Sequence, residues 1–246
     1  MSTAIVITSG KGGTGKTSLT GGVASCLAAL GRRALCVDMD IGLRNLDLTL
    51  GMSDRALMDF TDVLSGRTTL EKAAVPHPVI QGLYLLTAPL TAPRDHITEA
   101  DLRTFLLQAK SRFDYILMDS PAGLGGGFRM AVCGADRAIV VSTTDASALR
   151  DAQRTVGELV HRMGHIHLVV NRIQPKLLRQ LHTTIDDAMD TAGLPLLGIV
   201  PEDPQVMLAA NRGEPLILMA RWGAARAYLN IARRLEGERV PLMRLR

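Results

Sequence analysis

The sequence predicts a single-domain α/β fold of three layers, with a mostly parallel central sheet flanked by helices on both faces, and three observations carry that prediction. A composition of 47% hydrophobic but only 3% aromatic residues suits an Ala/Val/Leu/Ile core, the usual filling of a parallel sheet. Short β-branched runs alternate with longer Ala/Leu-rich stretches, the order expected of strands joined by helical crossovers. The first such run, Ala4-Ile5-Val6-Ile7, leads through a glycine-rich loop into a proline-free stretch, Leu19 to Leu30, that reads as a helix. At 246 residues the chain can bury a sizeable core as one domain, taken here as residues 1–237 with a short basic tail at 238–246.

The glycine-rich loop, Ser9 to Ser18, contains Gly10-x4-Gly15-Lys16-Thr17, the Walker A spacing of a phosphate-binding loop. Gly10, Gly12, Gly13 and Gly15 let the backbone curl, so that the N–H groups around Thr14 and Ser18 converge on phosphate oxygens. The following helix points its N-terminal dipole at the same anion. Lys16 is placed to reach the β- and γ-phosphates and the Thr17 hydroxyl to ligate Mg2+. A second lysine, Lys11, follows the first glycine of the loop and by itself reads as a solvated loop charge.

Ala34 to Val37 is the second strand and ends in Asp38-Met39-Asp40, two carboxylates on one side of the departing chain, suited to handling Mg2+ and water. Residues 52–113 read as connecting helices, Ala56 to Leu64 and Thr98 to Ser111, around a strand at Leu83 to Leu86, with a proline-bearing loop from Thr87 to Asp95. Tyr115-Ile116-Leu117-Met118-Asp119 has the form of a Walker B strand, whose Asp119 belongs beside Mg2+. Ser120 follows where many such enzymes place a glutamate, which leaves Asp40 as the better candidate for general base. Gly123, with Gly125-Gly126-Gly127, reads as a flexible second switch.

Arg137 to Ser142 is a further strand and Ala146 to Met163 a helix, opened by Ala148-Leu149-Arg150-Asp151. His165 and His167 alternate at the entry to the strand Ile166 to Val170, and with His161 they have no nearby carboxylate or cysteine to complete a metal set. That strand ends in Asn171-Arg172, and Leu196 to Val200 is the next. Trp222 to Glu236 reads as the last helix, its core face formed by Trp222, Ala225, Leu229 and Ala232. Cys26, Cys36 and Cys133 show no CxxC spacing and read as buried thiols in a reducing cytoplasm. No apolar run approaches the roughly 20 residues of a membrane span, and no signal peptide is visible. Of the net charge of +4, residues 221–246 carry seven arginines and two glutamates, so the body is near neutral and only the C-terminal end is basic.

The Gly-Lys-Gly-Gly-x-Gly-Lys-Thr form of residues 10–17 resembles the deviant Walker A loop of the ParA/MinD family of ATPases. The strings GLRNLDL at 42–48, DFTDVLSGRTTLEKA at 59–73 and VPEDPQVMLAANRGEPLI at 200–217 resemble the septum-site-determining, MinD branch of that family. The resemblance implies a P-loop NTPase fold and a slow, partner-stimulated ATPase that forms a homodimer with Mg-ATP and positions the bacterial division septum. It implies that Lys11 reaches the partner subunit's nucleotide, Asp40 positions the attacking water, Asp38 supports the Mg2+ shell and Asn45 works at the dimer interface. It further implies that Asn171 contacts adenine and that the surface around Arg150 and Asp151 docks partners, a septum inhibitor and a topological-specificity protein. Family members end in an amphipathic membrane-binding helix. Leu242, Met243 and Leu245 beside Arg244 and Arg246 are too few for one, so the expectation is a truncated chain or a weak or partner-mediated peripheral contact with the inner face of the cell membrane. A flagellar-number regulator and a ParA-like DNA-partition ATPase are the alternatives. The switch wording disfavours the first, the near-neutral body disfavours the second, and no specific nucleic acid is expected. An iron–sulfur carrier of the same superfamily is disfavoured because Cys133 has no companion cysteine.

Overall fold

A computed structural model describes residues 2–53, 55–91 and 97–244. Its strands are β1 (Thr3–Thr8), β2 (Ala34–Asp38), β3 (Val75–Pro76), β4 (Leu83–Leu86), β5 (Tyr115–Asp119), β6 (Arg137–Ser142), β7 (Ile166–Ile173) and β8 (Leu196–Pro201). They form one sheet in the order β3-β4-β2-β5-β1-β6-β7-β8, parallel throughout except for β3 against β4.

Both faces of the sheet are covered, as parallel strands require. Strand alternation sends Ile5, Ile7, Cys36 and Leu117 to one face, where α1 (Lys16–Ala29), α2 (Leu46–Leu50), α10 (Pro204–Arg212), α11 (Leu216–Met219) and α12 (Ala224–Leu235) pack. Val6, Val37, Ile116 and Met118 go to the other. That face carries α3 (Phe60–Leu64), α4 (Leu70–Ala73), α5 (Glu99–Lys110), α6 (Gly126–Val132), α7 (Ala146–Leu159) and α9 (Ile185–Ala192), with α8 (Pro175–Leu181) at its margin. The chain leaves β1 toward the first face and β6 toward the second. The loops after these adjacent strands therefore part at a topological switch point, where open α/β sheets hold ligands.

Side-chain caps set several helix boundaries. Asp59 and Asp62 form a reciprocal capping box at α3, as do Thr98 with Asp101 at α5 and Thr184 with Asp187 at α9. The first of these corrects the expected helix from Ala56: the Asp59 carboxylate takes the Thr61 and Asp62 N–H groups, and helix begins at Phe60. Gly126 and Gly127 lie in the first turn of α6 instead of a flexible loop. The last helix begins at Ala224, because Gly223 turns away from helical geometry and the distant Asp203 accepts the Ala224 N–H at 2.9 Å. Trp222 therefore lies outside the helix, 78% exposed, and not on a core face. Residues 92–95 of the expected proline-bearing loop, and Leu245 and Arg246 of the tail, lie outside the described residues.

Candidate functional site

Parallel register brings the two predicted acidic strand ends together. Asp38, at the end of β2, pairs in register with Asp119 at the end of β5, and Asp119 pairs with Ile7 of β1 immediately before the glycine loop. The Asp119 carboxylate accepts the Thr17 hydroxyl at 2.6 Å on one oxygen and the Thr20 hydroxyl at 3.2 Å on the other. Burial pushes the Asp119 carboxyl up to about 7, with Asp38 adding to the rise and the Thr17 hydrogen bond and Lys16 opposing it. Burial likewise raises Asp38 to about 6, against its backbone hydrogen bonds.

Asp38 and Asp40 have different surroundings. Asp38 is buried, and its two oxygens accept the backbone N–H groups of Asp40 at 2.9 Å and Leu46 at 3.1 Å. It thus fastens both ends of the 40–46 segment to the sheet. Asp40 is half-buried; burial raises its pKa while the Lys16 charge lowers it. The Lys16 ammonium donates to Ser9 Oγ at 3.0 Å, and burial lowers its pKa against the pull of Asp119 and Asp40. Ser9 in turn donates to the Lys11 carbonyl at 2.6 Å, and its own carbonyl accepts the Gly123 N–H at 3.2 Å. Gly123 has φ 84, so the second switch is tied to the phosphate loop through a left-handed residue.

Gly15 is the N-cap of α1 at φ 87, and a β-carbon there would sit closer than 3.0 Å to the Asn171 side-chain nitrogen. That nitrogen donates to Thr14 O at 2.7 Å, so Asn171 braces the loop as well as lining the cavity beside it. This cavity, of about 540 Å3, runs from Gly15, Thr17 and Ser18 past Asn171 to Met207 and Tyr228. Gly12 is exposed with nothing near it. At the start of the loop, Gly10 packs against the backbone of Asp151 in α7, where any β-carbon would collide. Arg150 is exposed, while Asp151 lies 3.6 Å from Arg154. Asn45 is exposed, one residue before α2. The Lys11 ammonium donates to Ser147 Oγ at 2.8 Å and lies 3.5 Å from Asp145, at the head of α7. The structure thus gathers Lys16, Thr17, Asp38, Asp40 and Asp119 at one point, and leaves Lys11, Asn45, Arg150 and Asp151 on surrounding surfaces.

Several residues of the site carry no motif of their own. Thr20 is the second donor to Asp119, and Ser9 holds Lys16. Arg172, at φ 55, donates to Gly13 O at 3.2 Å and pairs with Glu202 at 2.8 Å. Thr20 lies one turn beyond Lys16, a spacing that signals it; nothing in the sequence signals the Arg172 backbone.

The donor set suits a small hard cation bound together with a phosphate. Among the described residues no cluster of three His, Cys, Asp or Glu side chains could hold a metal unaided. Mg2+ does not need one, being held by a hydroxyl, one or two carboxylates, phosphate oxygens and water. Thr17 and Asp119, with Asp38 behind them, offer that oxygen chemistry. His161 and His165 are exposed and His167 is half-buried near Arg137. The three cysteines are buried and unbridged. No described helix is long and apolar enough to cross a membrane.

The profile of the CobQ/CobB/MinD/ParA nucleotide binding domain matches residues 5–216. The chain is 41% identical over 247 residues to the septum site-determining protein MinD of Synechocystis, covering 99% of this chain and 92% of that protein. Among solved structures, the MinC:MinD cell division protein complex of Aquifex aeolicus has a chain that superposes with a TM-score of 0.91 at 40% identity, covering 99% of both chains. The septum site-determining protein MinD of Pyrococcus horikoshii, solved with Mg-ADP, superposes with a TM-score of 0.85 at 30% identity, covering 96% of each.

Proposed function

The chain belongs to the CobQ/CobB/MinD/ParA nucleotide-binding family, as a MinD-type P-loop ATPase, and from that premise we propose that it is a slow Mg-ATP switch that dimerises with ATP and recruits division-site partners. The observation that carries the reading is the convergence of Lys16, Thr17, Asp119 and Asp38 on one point at the C-terminal end of the sheet. In this reading the loop 10–18 binds the phosphates by its N–H groups, Lys16 reaches their outer oxygens, and Thr17, Asp38 and Asp119 hold the Mg2+ shell. Bound Mg2+ would neutralise charge on the phosphate oxygens. Asn171, Met207 and Tyr228 border the base, and Asp40, near Lys16 and partly open to solvent, positions the attacking water.

Lys11 acts across the dimer. Its present contacts to Ser147 and Asp145 are weak to break, since the Lys11 and Asp145 side chains are 46% and 51% exposed and such pairs contribute about 1 kcal/mol or less. Carrying a population from mostly monomer to mostly dimer takes differential binding of about 5 kcal/mol. Withdrawing Lys11 from α7 therefore costs little beside what the switch must supply. Asn45, just before α2, and Gly123, whose N–H donates to Ser9 O, would move with it. The Aquifex relative was solved with MinC; by that likeness the ATP dimer recruits a septum inhibitor of the same kind, with the Arg150–Asp151 surface in the docking area, and a second, topological-specificity partner stimulates hydrolysis. Peripheral contact with the inner face of the cell membrane completes the reading.

The test is single-turnover ATP hydrolysis with Asp40→Ala. A fall of roughly 100-fold or more, with nucleotide affinity within a few-fold of wild type, is the expected result. Unchanged turnover would remove Asp40 from the mechanism.

A further inference from the structure

A second cavity, of about 940 Å3, lies between α12 and the C-terminal tail and has no part in the nucleotide reading. Arg226, Asn230 and Arg233 line one wall, spaced to follow one face of α12, with Trp222 beside them just before the helix; Arg244 of the tail lines the other wall, and Glu202 also borders the cavity. The tail wall is fastened in place. Arg234 donates to Leu197 O of β8 at 3.0 Å and to Val240 O and Pro241 O of the tail, each at 2.9 Å.

Independent features of these walls point to a bound anion. Asn230 is only 7% exposed, yet its side chain makes no hydrogen bond among the described residues. The amide atoms are themselves reached by solvent from the cavity, where their donors and acceptor are open to a ligand. The Nε of Arg233 is buried without a hydrogen bond, and its nearest carboxylate, Glu238, is 3.8 Å away. Arg226 and Arg244 are exposed and form no ion pair among the described residues. The one acidic group on the wall, Glu202, is already neutralised by Arg172. Guanidinium forks suit the several acceptor oxygens of a phosphate group, and the exposed Trp222 indole offers a flat apolar surface beside them.

We infer that this cavity binds a phosphate ester, its phosphate held among Arg226, Arg233, Arg244 and the Asn230 amide, and its planar or apolar body against Trp222. An acidic phospholipid headgroup and a soluble phosphorylated compound present the same chemistry. Glu202 pairs with Arg172, which also bonds Gly13 O, so a ligand here lies within two hydrogen bonds of the phosphate loop.

The test uses the full chain with Mg-ADP in excess. Calorimetry follows glycerol 3-phosphate, and co-sedimentation compares vesicles containing phosphatidylglycerol with vesicles of phosphatidylcholine alone. Saturable binding is expected, weakened roughly tenfold or more by Arg226→Glu and by Asn230→Leu. Asn230→Leu leaves the charge unchanged and breaks no hydrogen bond, so it should fold with a Tm close to that of wild type. Binding of glycerol 3-phosphate supports a soluble source, and binding of the acidic vesicles alone supports a lipid headgroup. Absence of saturable binding to either probe would overturn the inference. So would binding indifferent to Asn230→Leu, which is the signature of diffuse attraction to a basic surface. Neither variant touches the phosphate loop and neither readout is ATP turnover, so this outcome is independent of the proposed ATPase mechanism.

Discussion

Replacing the loop glycines by alanine one at a time separates backbone strain from steric collision, because the structure gives each glycine a different combination of the two. Gly12 has an ordinary φ and open space around it, Gly13 has φ 79 with nothing near, and Gly15 has φ 87 with the Asn171 amide against it. Forcing an alanine into left-handed geometry costs about 1–2 kcal/mol. Displacing Asn171 forfeits its 2.7 Å bond to Thr14 O, a further loss of about 1 kcal/mol. Gly12→Ala should therefore be nearly neutral, Gly13→Ala should cost about 1–2 kcal/mol, and Gly15→Ala about 2–3 kcal/mol. The assay is urea unfolding of the ligand-free protein, with Asn171→Ala and the Gly15→Ala/Asn171→Ala pair completing a double-mutant cycle. Because both single variants break the same bond, the pair should cost about 1 kcal/mol less than their sum. Equal costs for Gly13→Ala and Gly15→Ala, or strict additivity in the cycle, would refute the assignment of Asn171 as the brace of the loop.

Three other outcomes follow from the same geometry. The ligand-free protein should lose stability as pH rises from about 4 to about 7, because folded Asp119, raised to about 7, retains a proton that the unfolded chain has released. Asp119→Asn should flatten that fall in a series of thermal melts, and an unchanged pH profile would count against it. Phe128→Ala empties a fully buried aromatic site under the sheet and should cost about 3–5 kcal/mol in denaturant unfolding. Ser147→Ala removes one exposed partner of Lys11 and should change unfolding stability by less than about 1 kcal/mol while favouring the ATP dimer in light scattering.

The parts of the fold legible in the sequence were those in which local pattern and tertiary position agree. The strand ending at Asp119, the glycine loop and the Asp38–Asp40 pair each sit where period, spacing and turn chemistry put them. Long-range partners made the remainder illegible. The N-terminus of α12 is capped by Asp203, twenty-one residues earlier, so helical periodicity alone carried the helix back to Trp222 and assigned that indole to the core. Asn230, a polar residue outside the expected core face of Trp222, Ala225, Leu229 and Ala232, is buried beside the tail cavity. Asp38 also fastens the segment that follows it, since its two oxygens accept the Asp40 and Leu46 N–H groups, a role its spacing from Asp40 does not signal. The brace from Asn171 to Thr14 joins residues 157 positions apart and has no local signature.

In the proposed switch, ATP and not ADP joins two copies of this chain through Lys11. The most direct measurement is the mass in solution of the wild-type chain and of Lys11→Ala, each with Mg-ATP and with Mg-ADP. A doubling of the 26.5 kDa monomer mass is expected for wild type with Mg-ATP only, and monomer for Lys11→Ala with either nucleotide. A Lys11→Ala protein that dimerises normally with Mg-ATP, or a wild-type mass that is the same with either nucleotide, would contradict it.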